Sequence, residues 1–172
     1  MKVILSMAMS VNGMIATPDF KEDFLSDKNW WEFVKQVDDC GCLIWGRRTY
    51  EQVKDWPEKY FNSLKKYTKV ILSKNKNLKL LSGFELANSP EAALKLLKDK
   101  GYAKVILTGG SKNNSSFAKE GLIDEIIVDV EPALLGKGIP LFDSEVFEAR
   151  LKLKKLKKVS DSLVQLHYTV IH

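Results

Sequence analysis

Cysteine and histidine are scarce in this 172-residue sequence, and their scarcity limits the sites that the protein can build. Cys40 and Cys42 are the only cysteines, and His167 and His172 are the only histidines. These four residues cannot supply the ligand set of a zinc-type site. We therefore expect no metal, and two reduced thiols with a structural role in a cytoplasmic protein.

Long hydrophobic runs and strong charge of one sign are also missing. No apolar segment approaches the roughly 20 residues that a membrane span needs, and Met1-Lys2 leads directly into a short strand-like run rather than a signal peptide. We expect a cytoplasmic protein with no membrane partner. The net charge of +5 suits anionic small molecules but is too mild to indicate a nucleic-acid partner. A lysine-rich surface that favours solubility is the simpler interpretation.

Strand-like and helical patterns alternate along most of the chain. Ser26 or Asp27 can cap a helix that runs to about Val37, and Ser89-Pro90 starts another that ends at Gly101. This alternation predicts one α/β domain over residues 1–172, with a mixed, mostly parallel sheet between two helical layers. The predicted strands are Val3–Met9, Cys42–Trp45, Lys69–Ser73, Phe84–Ala87, Lys104–Thr108 and Glu125–Glu131.

The last part of the chain has a different pattern. Leu151–Val159 and Leu163–Ile171 flank Ser160-Asp-Ser162, which predicts an antiparallel hairpin added to the sheet. Its lysines are either a basic binding strip or, as we prefer, residues that protect an edge strand from aggregation.

A paired-glycine turn follows the strand at Lys104. Gly109 and Gly110 precede a helix predicted from Ser111 to Glu120 and closed by Gly121. Glycine lets another group approach the backbone closely, and a helix N-terminus favours a phosphate. The alternative is that the glycines only make a tight turn between strand and helix.

Two further segments have side chains suited to phosphate at the end of a strand. Gly46-Arg47-Arg48-Thr49 offers forked donors and a hydroxyl at a helix start. Ser73-Lys74 adds a hydroxyl and an ammonium, which either hold a further phosphate, such as the 2′-phosphate that separates NADP from NAD, or form an ordinary polar strand end. Three such segments at the carboxyl ends of strands predict a dinucleotide laid across the sheet edge. The G-x-G-x-x-G and P-loop patterns are both absent, so the phosphates would be bound in another way.

The order of these segments resembles a known family. Met9-Ser-Val-Asn-Gly-Met-Ile-Ala16, Gly46-Arg-Arg-Thr-Tyr50, Thr108-Gly-Gly-Ser111 and Gly121-Leu-Ile-Asp-Glu125 are similar to segments of the dihydrofolate reductase-like superfamily. Glu131-Pro-Ala-Leu-Leu-Gly-Lys-Gly-Ile-Pro-Leu-Phe142 resembles a signature loop of its riboflavin-biosynthesis reductase branch. The resemblance covers nearly the whole chain.

The resemblance implies an NADPH-dependent reductase with a dihydrofolate reductase-like fold. It places the cofactor pyrophosphate and 2′-phosphate on the glycine turns, the adenosine beside Ser73 and Lys74, and the nicotinamide near Ala8 and Ile15. The implied cofactor-binding residues are Ala8, Ile15, Gly46, Arg47, Arg48, Thr49, Ser73, Lys74, Thr108, Gly109, Gly110 and Ser111. It also implies a homodimer, for which the C-terminal hairpin is the natural surface.

The substrate and proton donor are less defined. The resemblance implies hydride transfer to a pterin or to a 5-amino-6-(5-phosphoribosylamino)uracil-like compound. Trp30, Trp31 and Phe33 are candidates for an apolar wall against this flat heterocycle. Asn12 is a further candidate for the substrate pocket, since it stands where the riboflavin branch usually has Asp. Asp27 is the candidate proton donor, because it is the acid nearest to the position of the acidic residue in folate reductases.

Two alternatives to this function stay open at the level of sequence. One is a reductase of the same fold that acts on an unrelated imine or carbonyl compound. The other is a non-catalytic basic binding module.

Overall fold

A computed structural model describes residues 1–172 and contains ten strands and five helices. The strands are β1 (Lys2–Ser10), β2 (Met14–Ala16), β3 (Cys42–Gly46), β4 (Thr68–Leu72), β5 (Phe84–Ala87), β6 (Lys104–Leu107), β7 (Glu125–Glu131), β8 (Ile139–Pro140), β9 (Arg150–Lys158) and β10 (Val164–Ile171). The helices are α1 (Asp27–Cys40), α2 (Arg47–Val53), α3 (Glu58–Ser63), α4 (Pro90–Asp99) and α5 (Ser111–Lys119). None of these helices has the length and apolar character that a membrane crossing requires.

Eight strands form the central sheet in the order β5-β4-β3-β6-β1-β7-β10-β9. The first six pair in parallel, while β10 is antiparallel to both β7 and β9. The predicted α/β architecture, with a mostly parallel sheet and a C-terminal antiparallel hairpin, is therefore confirmed. Because β4, β3 and β6 are neighbours and parallel, their carboxyl ends meet at one edge of the sheet.

Local signals in the sequence account for the helix ends. The Ser26 side chain accepts a hydrogen bond from the backbone of Asn29 to cap α1, and Gly41 ends that helix in a left-handed conformation. Ser89 caps α4 in the same way, with Pro90 at its first position. α1 extends three residues past its predicted end at Val37, because Cys40 continues the buried face of the helix.

Helices cover both faces of the sheet because neighbouring strand residues point to opposite sides. On one face, Phe33 and Val37 of α1 pack with Leu43 and Trp45 of β3. On the other face, Leu97 of α4 and Phe117 of α5 pack with β1, β3 and β6.

Cys40 and Cys42 lie within these two cores as free thiols, and burial raises their pKa to about 11 and about 12. Thiols of this kind are unreactive.

The hairpin separates apolar from basic side chains. Leu151, Leu153 and Leu156 of β9 alternate with lysines and are largely exposed. Three of the lysines form ion pairs within the chain, since Lys154 pairs with Glu125, Lys157 with Glu32 and Lys158 with Asp161. β9 is the edge strand, as predicted.

Three short elements were missed by the sequence analysis. β2 and β8 have three and two residues and pair only with each other, and α3 has six residues after Pro57. Such lengths carry too little periodicity to be recognised in a sequence.

Candidate active site

A cavity of about 1030 Å³ lies at the carboxyl ends of the parallel strands. It brings together segments that are far apart in sequence, from β1, the β2 region, α1, the starts of α2 and α5, and the segment after β4. All of the residues implied for the cofactor line it: Ala8, Ile15, Gly46, Arg47, Arg48, Thr49, Ser73, Lys74, Thr108, Gly109, Gly110 and Ser111. The cavity is large enough for a drug-sized or larger ligand.

The two glycine turns form one connected floor. The backbone N–H of Gly46 donates to the carbonyl of Gly109 at 2.8 Å, which joins the end of β3 to the turn after β6. Asn113 donates to the same carbonyl through its side-chain amide, and the Asn114 side chain accepts from the Gly109 N–H. The turn is thus held by the first turn of the helix that follows it.

Glycine is favoured at Gly46 by close packing and at Gly109 by a positive φ. A Cβ on Gly46 would lie 3.2 Å from the Cβ of Asn113 and 3.4 Å from backbone atoms of Gly109 and Gly110. Gly109 has a φ of +70°, and a Cβ there would lie 3.4 Å from the Thr49 hydroxyl. The absence of a Cβ at these positions therefore lets the two turns pack directly against each other at the floor of the cavity.

The helices that begin at this floor have free donors. α2 and α5 have glycine N-caps without a side-chain hydrogen bond, in contrast to the serine-capped α1 and α4. The hydroxyl of Ser111 and the side-chain oxygen of Asn113 are buried without a partner. Because buried polar groups are normally hydrogen-bonded, these two atoms are available to bind a ligand in the cavity.

Four cationic side chains line the cavity, namely Arg47, Arg48, Lys74 and Lys112. Arg47 forms a 2.9 Å ion pair with Glu51 one turn later, and the Arg48 guanidinium lies 5.5 Å from the centre of the Phe20 ring. The cations line the same cavity as the glycine floor, and this combination suits a phosphate-containing ligand.

Aromatic side chains form another part of the wall. Trp30 and Phe33 of α1 line the cavity, and Trp56 lines it beside them. The Trp30 ring lies 5.4 Å from the centres of both Phe33 and Trp56, so the three rings support one another. This wall is suited to a flat, apolar ring system.

The structure places three of the predicted site residues outside the cavity. Asp27 is exposed and accepts a 2.5 Å hydrogen bond from the Tyr60 hydroxyl, which lowers its pKa, so it is poorly suited to donate a proton. Asn12 uses its side chain to bind Ser10 and Leu135. Trp31 is 48% exposed and points away, because it follows Trp30 by about 100° around the helix.

The acids that do lie at or behind the wall were missed by the sequence analysis. Glu22 lines the cavity, and burial raises its pKa to about 7. Asn29 also lines it and donates to the buried Asp129, whose pKa burial raises to about 6 despite hydrogen bonds from Gln165 and Asn29. The sequence did contain a signal for these acids, because Asp129 and Glu131 stand in an otherwise apolar strand. Acids that are buried in this way need hydrogen-bond partners, and such partners mark a polar site.

No group of three or more His, Cys, Asp or Glu side chains is placed to hold a metal ion. The donors of the site are instead amides, hydroxyls and basic side chains, which favour an anionic organic ligand.

Comparison with known proteins identifies the class. The family model of the RibD C-terminal domain matches residues 1–165, so the chain belongs to the RibD C-terminal domain family. The uncharacterized protein YwjB of Bacillus subtilis (strain 168) is 32% identical over 183 residues, which cover 97% of each chain. The riboflavin biosynthesis protein RibD of Aquifex aeolicus (strain VF5) is 33% identical over 84 residues, or 49% of this chain and 22% of that protein.

Solved structures share the fold. A putative riboflavin biosynthesis protein from Shewanella sp. PV-4 has a TM-score of 0.81 at 26% identity, with both chains fully covered. RibD of Acinetobacter baumannii has a TM-score of 0.80 at 20% identity, over 99% of this chain and 58% of that one. The resemblance to the riboflavin-biosynthesis reductase branch is thereby confirmed, and the family indicates an oxidoreductase.

Proposed function

We propose that the protein is an NADPH-dependent reductase that acts on a flat nitrogen heterocycle of the pterin or aminopyrimidine class. The observation that carries the proposal is the buried, unpartnered Ser111 hydroxyl at the uncapped start of α5. It lies on the glycine floor where three parallel strands end, in the cavity that holds four cations. A ligand with several phosphates would satisfy these groups together.

The residues present fit this cofactor. A pyrophosphate would lie against the glycine floor, where the N–H groups at the starts of α2 and α5 would donate to it. Lys74 and Ser73 would hold the 2′-phosphate side, and Ala8 and Ile15 would seat the nicotinamide. When bound, NADPH would supply the hydride.

The chain itself would orient the substrate and keep water away. The ring cluster of Trp30, Phe33 and Trp56 would stack against the heterocycle and lower the local dielectric constant. Reduction of a C=N bond also needs one proton at nitrogen, and Glu22 is a cavity acid whose pKa of about 7 suits that transfer.

The nucleotide requirement can be tested by titration. NADPH and NADH are each added to the protein while the fluorescence of the four tryptophans is followed, since three of them line the cavity. We expect saturable quenching by NADPH at micromolar concentration and weaker binding of NADH. Absence of saturable NADPH binding below millimolar concentration would contradict the proposal.

We also propose that the protein is a homodimer through the leucine face of the hairpin, defined by Leu151, Leu153 and Leu156. This face is continuous with the half-buried Leu166 and Tyr168 of β10, which pack against the core. Lys154 and Lys157 point to the opposite face of the strand, and Lys158 at the end of the leucine face is paired with Asp161, so two leucine faces can meet without contact between unpaired like charges.

A further inference from the structure

A second, smaller cavity lies at the opposite edge of the sheet from the candidate active site. Its volume is about 380 Å³, and it lies between the later turns of α1 and the amino ends of β1, β6 and β7. Lys2 and Ile4 of β1 line it, whereas Ser6, Met7 and Ala8 of the same strand line the larger cavity. The two cavities share no residue, so a ligand in the smaller one would be separate from the proposed reductase chemistry.

The floor of the smaller cavity is apolar. Ile4, Ile106 and Ile127 line it from three neighbouring strands, and each of these side chains is at most 8% exposed. They belong to the core that Val37 and Cys40 of α1 cover. Such a floor favours a ligand with an apolar body, because contact removes hydrocarbon surface from water.

The rim of the smaller cavity carries more positive than negative charge. The charged side chains that line it are Lys2, Lys35, Lys104 and Lys154, together with Glu32, Asp39 and Glu125. Lys157 adds a fifth ammonium group, since it pairs with Glu32 from outside the cavity. Five ammonium groups therefore face three carboxylates, and this surplus of positive charge favours an anionic ligand.

The ion pairs at the rim leave hydrogen-bond donors free. The side chain of Glu125 is 7% exposed and accepts from Lys2 at 2.9 Å, from Lys154 at 2.8 Å and from His167 at 2.7 Å. Two ammonium groups thus share one negative charge, and each of them has three N–H donors. Gln36 lines the same cavity, and its side-chain oxygen is buried without a hydrogen-bond partner. A ligand here would meet unused polar groups beside the apolar floor.

We propose that the smaller cavity binds a small carboxylate with an apolar body, of the class of short-chain fatty acids. The carboxylate would accept hydrogen bonds from the lysines of the rim, and the hydrocarbon would lie on the three isoleucines of the floor. Charge-assisted hydrogen bonds of this kind are stronger than neutral ones. The inference goes beyond the proposed reductase function and does not depend on it.

Isoleucine methyl NMR tests the proposal, because it shows where a ligand binds. Protein labelled with carbon-13 at the isoleucine methyl groups is titrated with hexanoate at pH 7. Ile4, Ile106 and Ile127 report on the smaller cavity, and Ile15 and Ile139 report on the larger one. The comparison ligands are 1-hexanol, which has the apolar body without the charge, and inorganic phosphate, which has charge without an apolar body.

Two matched variants test the contribution of the rim. Lys104 lines the smaller cavity and pairs with the exposed Asp39, whereas Lys95 of α4 pairs with the exposed Asp99 and lines neither cavity. Lys104→Met and Lys95→Met each remove one surface ion pair, but only K104M removes a charge from the rim. The isoleucine spectrum without ligand shows whether each variant keeps its fold, and the comparison ligands are tested on the wild type alone.

We expect hexanoate to shift the signals of Ile4, Ile106 and Ile127 saturably at low millimolar concentration, and to leave Ile15 and Ile139 unchanged. Both 1-hexanol and phosphate should bind the wild type at least about 10-fold more weakly than hexanoate. K104M should bind hexanoate at least about 3-fold more weakly than the wild type, and K95M should match the wild type.

The proposal is overturned if hexanoate shifts only the signals of Ile15 and Ile139, or shifts none at high millimolar concentration. Equal binding of 1-hexanol would show an apolar site without selection for an anion, and equal binding of phosphate would show a site for inorganic ions; each result overturns it. Unchanged affinity in a folded K104M does so as well. The titrations contain no nucleotide, so their outcome is independent of NADPH binding.

Discussion

The side-chain amide of Asn29 donates a 2.7 Å hydrogen bond to the carboxylate of Asp129 inside the protein. Gln165 donates to the other oxygen of the same carboxylate at 2.9 Å. Since Asn29 belongs to the first turn of α1 and lines the cavity, this arrangement ties the cavity wall to the centre of β7 and to β10.

Replacing Asn29 by alanine should destabilise the protein by about 1–3 kcal/mol, because one oxygen of a buried carboxylate loses its donor. The free energy of unfolding in urea at pH 7 measures this loss. Asn77→Ala is the control, since Asn77 is exposed and its side chain makes no hydrogen bond. Equal stability of N29A and N77A would show that the hydrogen bond does not stabilise the fold.

Glu125 should make the protein sensitive to acid. Hydrogen bonds from Lys154, Lys2 and His167 outweigh the effect of burial and lower the pKa of this carboxyl to about 2. Its contribution is therefore complete above pH 4.5 and is lost as the pH falls from 4.5 toward 2. Both lysines are about half exposed, so we expect a contribution of about 1–3 kcal/mol.

Urea unfolding of the wild type and Glu125→Gln between pH 2.5 and 7 tests this dependence. The difference in stability should be largest at pH 7 and should shrink toward pH 2.5. Taking the difference removes the effect of Asp129, whose raised pKa acts in the opposite sense between pH 4 and 6. Asp161→Asn, at a fully exposed carboxylate, should leave the profile unchanged, and a constant difference in E125Q would contradict the assignment.

Lys74 should discriminate between the two nicotinamide cofactors. Replacing it by alanine is expected to weaken NADPH binding about 10-fold and to leave NADH binding unchanged, because only NADPH has a 2′-phosphate. Tryptophan quenching measures both affinities. Lys76→Ala, two residues later and outside the cavity, is the matched control; equal losses for NADPH in the two variants would indicate a general charge effect.

Gly138 should tolerate no side chain. A Cβ there would lie 2.6 Å from the Ala16 carbonyl oxygen and 3.1 Å from the Cβ of Met14, so alanine must separate β8 from β2. Because β2 carries Ile15, we expect G138A to lower the melting temperature by several degrees and to weaken NADPH binding. Gly136→Ala meets no atom within 4 Å and should match the wild type in both measurements.

The leucine face should control the oligomeric state. The double variant Leu153→Lys with Leu156→Lys is expected to be monomeric in analytical ultracentrifugation at a concentration where the wild type is dimeric. Leu134→Lys, at a leucine that is 75% exposed elsewhere on the surface, should remain dimeric. A monomeric wild type, or a dimeric double variant, would contradict the homodimer.

The sequence predicted those helix ends and strands that depend on interactions between residues close together in the chain. Ser26 and Ser89 cap helices because their hydroxyls reach a backbone N–H three residues later. The apolar runs of β4 and β6 lie between other strands and are buried on both faces, as their composition predicted. The two glycine turns could also be predicted from the sequence, because glycine is favoured where two backbone segments pack closely together.

The sequence by itself therefore determined the eight strands of the central sheet, the ends of α1 and α4 and the segments suited to phosphate, since each depends on neighbouring residues. Only the tertiary structure decided which side chains share the cavity. Asn29 and Asp129 are 100 residues apart, and Asp27 and Trp31 point away from the cavity that Trp30 lines. These outcomes depend on strand order and on the rotation of α1 against the sheet, and Glu22 lines the cavity from a loop that distant residues hold.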